Sequence, residues 1–181
     1  MTQYVAFLRG INLARRRRVG SAELREIFEE LGFRDVDTFR TSGNVIFVVQ
    51  REPLPRMADR IEKGLAEALG YEVAIFLRTA SEIRAIANHH PFARKATQAS
   101  KGKLQVALLS AKAATRVRKD VLALATDADR LAFGDRELYW LPSGGTQDSA
   151  LDFKAVERLL GSTTMRTKGT VEQLAAKYLA D

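Results

Sequence analysis

Three features of the sequence predict an α+β chain built as two tandem halves. Short apolar runs of strand type recur along it, and amphipathic segments of helical length stand between them. The order strand, helix, strand, strand, helix also occurs twice. The chain has 181 residues, 46% hydrophobic and 28% charged, the balance of a globular domain or two small ones sharing a core.

Tyr4 to Leu8 is a short apolar run, broken by Arg9-Gly10. A helix is expected from Ser21 to Leu31, with Ser21 as its cap, Glu23 at the positive end of its dipole and Gly32 as its stop. Leu24, Ile27, Phe28 and Leu31 share one face at helical spacing. Val36 to Arg40 and Asn44 to Val49 read as strands joined at Thr41-Ser42-Gly43. Leu54 to Leu69 is a second helix, with Met57, Ile61, Leu65 and Leu69 as its stripe and Gly70 as its stop. Glu72 to Leu77 is a strand. This order is the split βαβ, or ferredoxin-like, unit, for which the strand order 4-1-3-2 is expected.

A connecting helix near Ser81 to Asn88 leads to a strand at Lys103 to Leu109 and a helix at Ala113 to Ala125. A hairpin follows (Arg130 to Phe133, Glu137 to Leu141, turned at Gly134-Asp135), then a helix at Leu151 to Leu160. The second half is expected to end in an extra helix, Thr170 to Leu179, where a strand would complete the unit. The expected division is an N-terminal ferredoxin-like subdomain over residues 1–78, a connecting helix and loop over 79–101, and a C-terminal subdomain over 102–181. VIFVV, VAIFL and VALL are apolar at consecutive positions, so these strands are expected to be covered on both faces.

The formal charge is +7, from 29 basic and 22 acidic residues. Residues 1–22 hold Arg9, Arg15, Arg16, Arg17 and Arg18 and no acidic side chain. They contribute +5, which leaves +2 (7 − 5) for the rest. A localised field of this kind points to an anionic partner. There is no cysteine, which excludes disulfides and thiolate metal sites and fits a reducing compartment. Nothing at the start reads as a signal peptide and no apolar run approaches a bilayer span, so a cytoplasmic protein with no membrane partner is expected.

In the expected topology, strands 1 and 3 are central antiparallel neighbours. That places Arg9, Gly10 and Asn12 beside Thr41, Ser42, Gly43 and Asn44, with Arg15 to Arg18 on the loop that leaves this edge and the first helix starting there. Helix-terminal amides, glycines that let backbone approach a ligand, hydroxyls, an amide and guanidinium groups suit phosphate or carboxylate. The competing reading takes the glycines, Ser42 and Asn44 as turn residues and the arginines as a solvated loop. There is no Walker sequence and no G-x-G-x-x-G. An RNA-recognition surface needs stacking aromatics on strands 1 and 3, yet strand 3 offers only Phe47, and Tyr4 and Phe7 fall on opposite faces.

Elsewhere the chemistry is thin. His89-His90 are adjacent and make a poor metal pair, and no G-x-S-x-G is present. Pro142-Ser143-Gly144-Gly145 is a second glycine-rich loop, with Asp148 or Ser149 to cap the helix after it. Thr163, Thr164, Arg166 and Lys168 precede the last helix. Both read first as connectors.

YVAFLRGIN, TFRTSGNVIF and LYWLPSGG followed by TTMR together resemble the bacterial family called domain of unknown function 1697. The resemblance implies a cytosolic protein of two ferredoxin-like subdomains with no established activity or cofactor. Members usually carry glycines and a lysine after RGIN, where this chain has Leu13-Ala14-Arg15, and an Asn-Trp-like pair after TTMR, where it has Thr167-Lys168. The function expected is binding of a phosphate-bearing ligand or nucleic acid at the basic edge, with no cofactor and no metal. The alternatives are an enzyme acting on a small phosphorylated or carboxylate substrate at that edge, and a structural or oligomerisation module such as a homodimer.

Overall fold

The computed structural model describes residues 1–11, 18–41 and 43–179. The described chain forms two four-stranded antiparallel sheets and seven α-helices. It divides into two compact units, one of Met1–Arg84 together with Leu174 onward, the other of Ala85–Gln173.

The first unit runs β1 (Thr2–Leu8), α1 (Ser21–Glu30), β2 (Arg34–Thr38), β3 (Asn44–Val49), α2 (Leu54–Leu69) and β4 (Ile75–Thr79), and α3 (Ala80–Asn88) follows directly. Its sheet order is β2-β3-β1-β4, the order expected. Tyr4, Ala6 and Leu8 alternate onto one face of β1 and join Val45, Phe47 and Val49 of β3 in a core with Leu24, Ile27 and Phe28 of α1 and Met57, Ile61 and Leu65 of α2. Phe47 is its aromatic centre, with its ring 4.5 Å from that of Phe33 and 5.4 Å from that of Phe28. Val5, Phe7 and Ile46, on the other face, are equally closed to solvent, as the unbroken apolar runs lead one to expect. α1 is capped at Gly20, not Ser21, which is its first helical residue, and the Glu23 carboxylate accepts the Gly20 N–H at 3.4 Å.

The second unit contains α4 (Arg94–Ala99), β5 (Gln105–Leu109), α5 (Thr115–Leu122), β6 (Asp129–Phe133), β7 (Glu137–Pro142), α6 (Phe153–Leu160) and β8 (Thr163–Thr167). The last helix, α7 (Lys168–Tyr178), begins here, and its end belongs to the first unit. The sheet order β6-β7-β5-β8 repeats that of the first unit.

β8 corrects the sequence reading, which put no strand there. Its TTMRT sequence buries Thr164 and Arg166 on one face, so the strand has no apolar run to betray it. Thr is β-branched and suits the pleat, and Arg166 is held by the Thr164 hydroxyl at 2.9 Å and the Met165 carbonyl at 2.8 Å. β4 and β8 correspond closely. Arg78 stands opposite Val5 and Arg166 opposite Val106, and a threonine after each arginine leads into a helix. The cap of α6 is Asp152, which accepts the Ala155 N–H at 2.9 Å, rather than Asp148 or Ser149. Helix α4 lies in the segment read from the sequence as connecting loop.

Candidate functional site

The end of β1 and the turn into β3 meet through backbone. The Leu8 N–H donates to the Gly43 carbonyl at 2.8 Å, and Phe7 stands opposite Asn44 in the ladder. On the other side of β1, the Arg9 N–H donates to the Ala74 carbonyl at 2.9 Å. Arg9 and Gly10 are half-buried, Ile11 is buried, and Gly10 turns the chain at φ +76°. Arg18 is exposed where the chain re-enters α1.

The turn holds three different kinds of residue. Asn44 is fully buried, and its side-chain amide donates to the Phe39 carbonyl at 2.7 Å while its own carbonyl accepts the Phe39 N–H at 2.9 Å. That amide clamps the turn. Gly43 has φ +70° and packs under Ile11. Arg40 and Thr41 are exposed, and Arg40 sits at φ +60° with its guanidinium 5.4 Å from the centre of the Phe39 ring.

The structure therefore brings Arg9 and Gly10 to the same sheet end as Thr41, Gly43 and Asn44. Asn12, Arg15, Arg16, Arg17 and Ser42 lie outside the described residues. The sequence reading passed over Arg40, although it adjoins the turn in TFRTSGN. Its signal is the left-handed backbone, which a bulky side chain adopts at a cost of roughly 1–2 kcal/mol. At the start of α1, Glu23 already supplies a carboxylate to the helix N-terminus.

The remaining candidates serve as framework. Lys168 is buried and donates to the Ala87 carbonyl at 2.6 Å and to Glu172 at 2.7 Å. Thr163 donates through its amide and hydroxyl to Glu157 at 3.2 and 2.9 Å. Burial lowers the pKa of the Arg166 guanidinium to about 10. His89 and His90 are exposed, with the His89 ring 5.0 Å from that of Tyr139. Among the described residues, no three His, Asp or Glu side chains are grouped to hold a metal. No helix among them is long and apolar enough to cross a membrane.

In the glycine-rich loop after β7, the Ser143 N–H donates to the Ala128 carbonyl at 2.7 Å. Asp129, buried beside it, accepts from the Trp140 indole, the Ser149 hydroxyl and the Thr126 hydroxyl, each at 2.7 Å. Burial pushes the pKa of this carboxyl up, and the three hydrogen bonds more than offset that, so the net shift is downward.

Compared with known families, residues 1–139 match the one described as a protein of unknown function, DUF1697. The chain belongs to that family. In this DUF1697 protein the matched span contains RGIN and TSGNV and ends within LYWLPSGG. A solved structure of a conserved bacterial protein from Streptococcus pneumoniae is similar over 97% of each chain, with a TM-score of 0.72 and 19% sequence identity. That likeness is one of fold. No curated protein matches the sequence.

Proposed function

We propose that this DUF1697 protein is a cytoplasmic pair of ferredoxin-like subdomains that binds a phosphate-bearing partner at the β1–β3 edge, with nucleic acid the leading candidate. The observation that carries the reading is the bond from the Leu8 N–H to the Gly43 carbonyl, 2.8 Å long. It fixes Arg9 and the Arg40–Thr41 turn at one sheet end, the end from which the Arg15–Arg18 segment departs in sequence. Guanidinium groups bind phosphate by charge-assisted, paired hydrogen bonds. Among the described residues, nothing lies within 4 Å of where a Cβ on Gly10 would stand, which supports close approach of a ligand to this backbone. Binding of this kind takes backbone phosphate rather than base sequence, since the aromatics of β1 and β3, Tyr4, Phe7 and Phe47, are all buried.

Native mass spectrometry of the full chain, titrated with a labelled oligonucleotide and separately with pyrophosphate, tests the reading. Oligonucleotide complexes that dissociate as salt rises support it. Retention of pyrophosphate alone favours an enzyme or carrier of small anions at the same edge, and a dimer that takes up neither favours an oligomerisation module.

A further inference from the structure

The overall charge conceals a second cationic stretch. Residues 85–119 contain eight lysines and arginines and no aspartate or glutamate. Two of these are engaged around the β6–β7 turn: Lys112 pairs with Asp135 at 2.8 Å, and Arg118 donates to the carbonyls of Gly134 and Asp135 at 2.9 and 2.8 Å. Arg94 and Lys95 on α4, and Lys101 and Lys103 on the segment leading into β5, are all exposed, and none forms an ion pair among the described residues.

The backbone beneath these cations is fixed. The Lys101 N–H donates to the Ser143 carbonyl at 3.0 Å, the Ser100 hydroxyl donates to the Pro142 carbonyl, and the Lys103 carbonyl accepts from the Gln105 side chain at 2.8 Å. Gly102 between them lies so close to the glycine-rich loop that a Cβ there would collide with the carbonyl oxygens of Gly144 and Pro142. Lys101 and Lys103 thus rise from a segment whose backbone is held. The stretch that holds it, Pro142-Ser143-Gly144, carries no carboxylate.

We propose that the exposed cations of one ten-residue stretch of the second unit, Arg94, Lys95, Lys101 and Lys103, dock the phosphate backbone of nucleic acid. The choice among polyanions follows from what is missing beside the charges. Helix α4 buries no residue, and the exposed large hydrophobic side chains among the described residues, Met1, Leu122 and Leu159, all lie elsewhere in the sequence. A helix that settles on a membrane needs an apolar face to insert, and a protein partner needs an apolar or aromatic centre to the interface. Phosphates in a row need only fixed cations. The inference does not depend on the reading of the N-terminal edge, since each surface can be altered alone.

The experiment is a salt titration of the full chain binding a fluorescein-labelled 20-nucleotide single strand. Wild type is compared with Lys101→Glu/Lys103→Glu, with the milder Lys101→Gln/Lys103→Gln, and with a variant carrying serine at positions 15–18. Both lysines are exposed, so the fluorescence of the single tryptophan, Trp140, should report unchanged unfolding. The expected result is a fall of about 1.4 in the log–log salt slope for the glutamine pair, near 0.7 for each phosphate of a single strand that is no longer neutralised. A further fall in affinity is expected for the glutamate pair, on the order of tenfold or more. Unchanged slope and affinity in both lysine variants would overturn the inference while leaving the N-terminal reading standing if the serine variant weakens. No oligonucleotide binding by wild type, or tighter binding to phosphatidylserine vesicles than to the oligonucleotide, would overturn it as well.

Discussion

Ile11 fills the space that a side chain at Gly43 would need. Its Cγ1 lies 2.7 Å from where a Cβ on Gly43 would stand, its Cδ1 lies closer still, and Gly43 has φ +70°. This packing ties the residues after β1 to the turn before β3, and so sets the candidate site's shape independently of any ligand chemistry.

Gly43→Ala should therefore destabilise the first unit on two counts. A left-handed backbone costs a side chain roughly 1–2 kcal/mol, and forcing extra volume against Ile11 costs roughly 1–3 kcal/mol. Urea unfolding of Gly43→Ala, Ile11→Ala and the double variant separates these contributions. The double variant should be more stable than the sum of the single losses predicts, because removing Ile11 frees the space but leaves the backbone strain.

Arg40 poses the opposite case. It holds a strained φ of +60° on an exposed side chain. Arg40→Gly relieves the strain, at the expense of the interaction with the Phe39 ring and some unfolded-state entropy, each roughly 0.5–1 kcal/mol. Stability should stay within about 1 kcal/mol of wild type while oligonucleotide affinity falls several-fold. A large loss of stability with unchanged affinity would make Arg40 a structural residue and take it out of the site.

Most of the first unit was legible because its strands and helices keep their own periods. Tyr4, Ala6 and Leu8 alternate, and Met57, Ile61 and Leu65 step by four, so both faces could be read directly. β8 was not legible, because its buried residues are Thr164 and Arg166, whose burial depends on partners distant from any local pattern. At the site, the meeting of Arg9 with the Thr41–Asn44 turn followed from topology alone. The role of Asn44 did not: an asparagine in a turn reads the same whether it binds a ligand or its own backbone, and here its amide reaches Phe39. Arg40 escaped notice since nothing in sequence marks a left-handed arginine. The cations of residues 94–103 escaped because the net charge of +2 outside residues 1–22 averages them against acidic helix faces such as that of α1.

The three hydrogen bonds to Asp129 predict the sign of a pH dependence in the second unit. The Asp129 carboxyl is held below the ordinary value when folded, so its contribution is complete above the unfolded value of about 4 and is lost as the pH falls through the lower folded value. Urea unfolding followed by Trp140 fluorescence between pH 3 and 7 should show wild-type stability declining on the acid side. Asp129→Asn should lose roughly 1–3 kcal/mol at pH 7, since an amide cannot accept from Trp140, Ser149 and Thr126 together, and should decline less steeply at low pH. An equally steep decline in the variant would assign the acid sensitivity to other carboxyls.

The most direct test of phosphate binding at the N-terminal edge replaces Arg15, Arg16, Arg17 and Arg18 with serine and measures oligonucleotide affinity against salt. The account predicts weaker binding and a flatter log–log slope, by about 0.9 for each phosphate of duplex DNA that is no longer neutralised, or about 0.7 on single strands. Thermal stability should barely move, by less than ~0.5 kcal/mol for each arginine replaced. Equal affinities and equal slopes for the two proteins would contradict it.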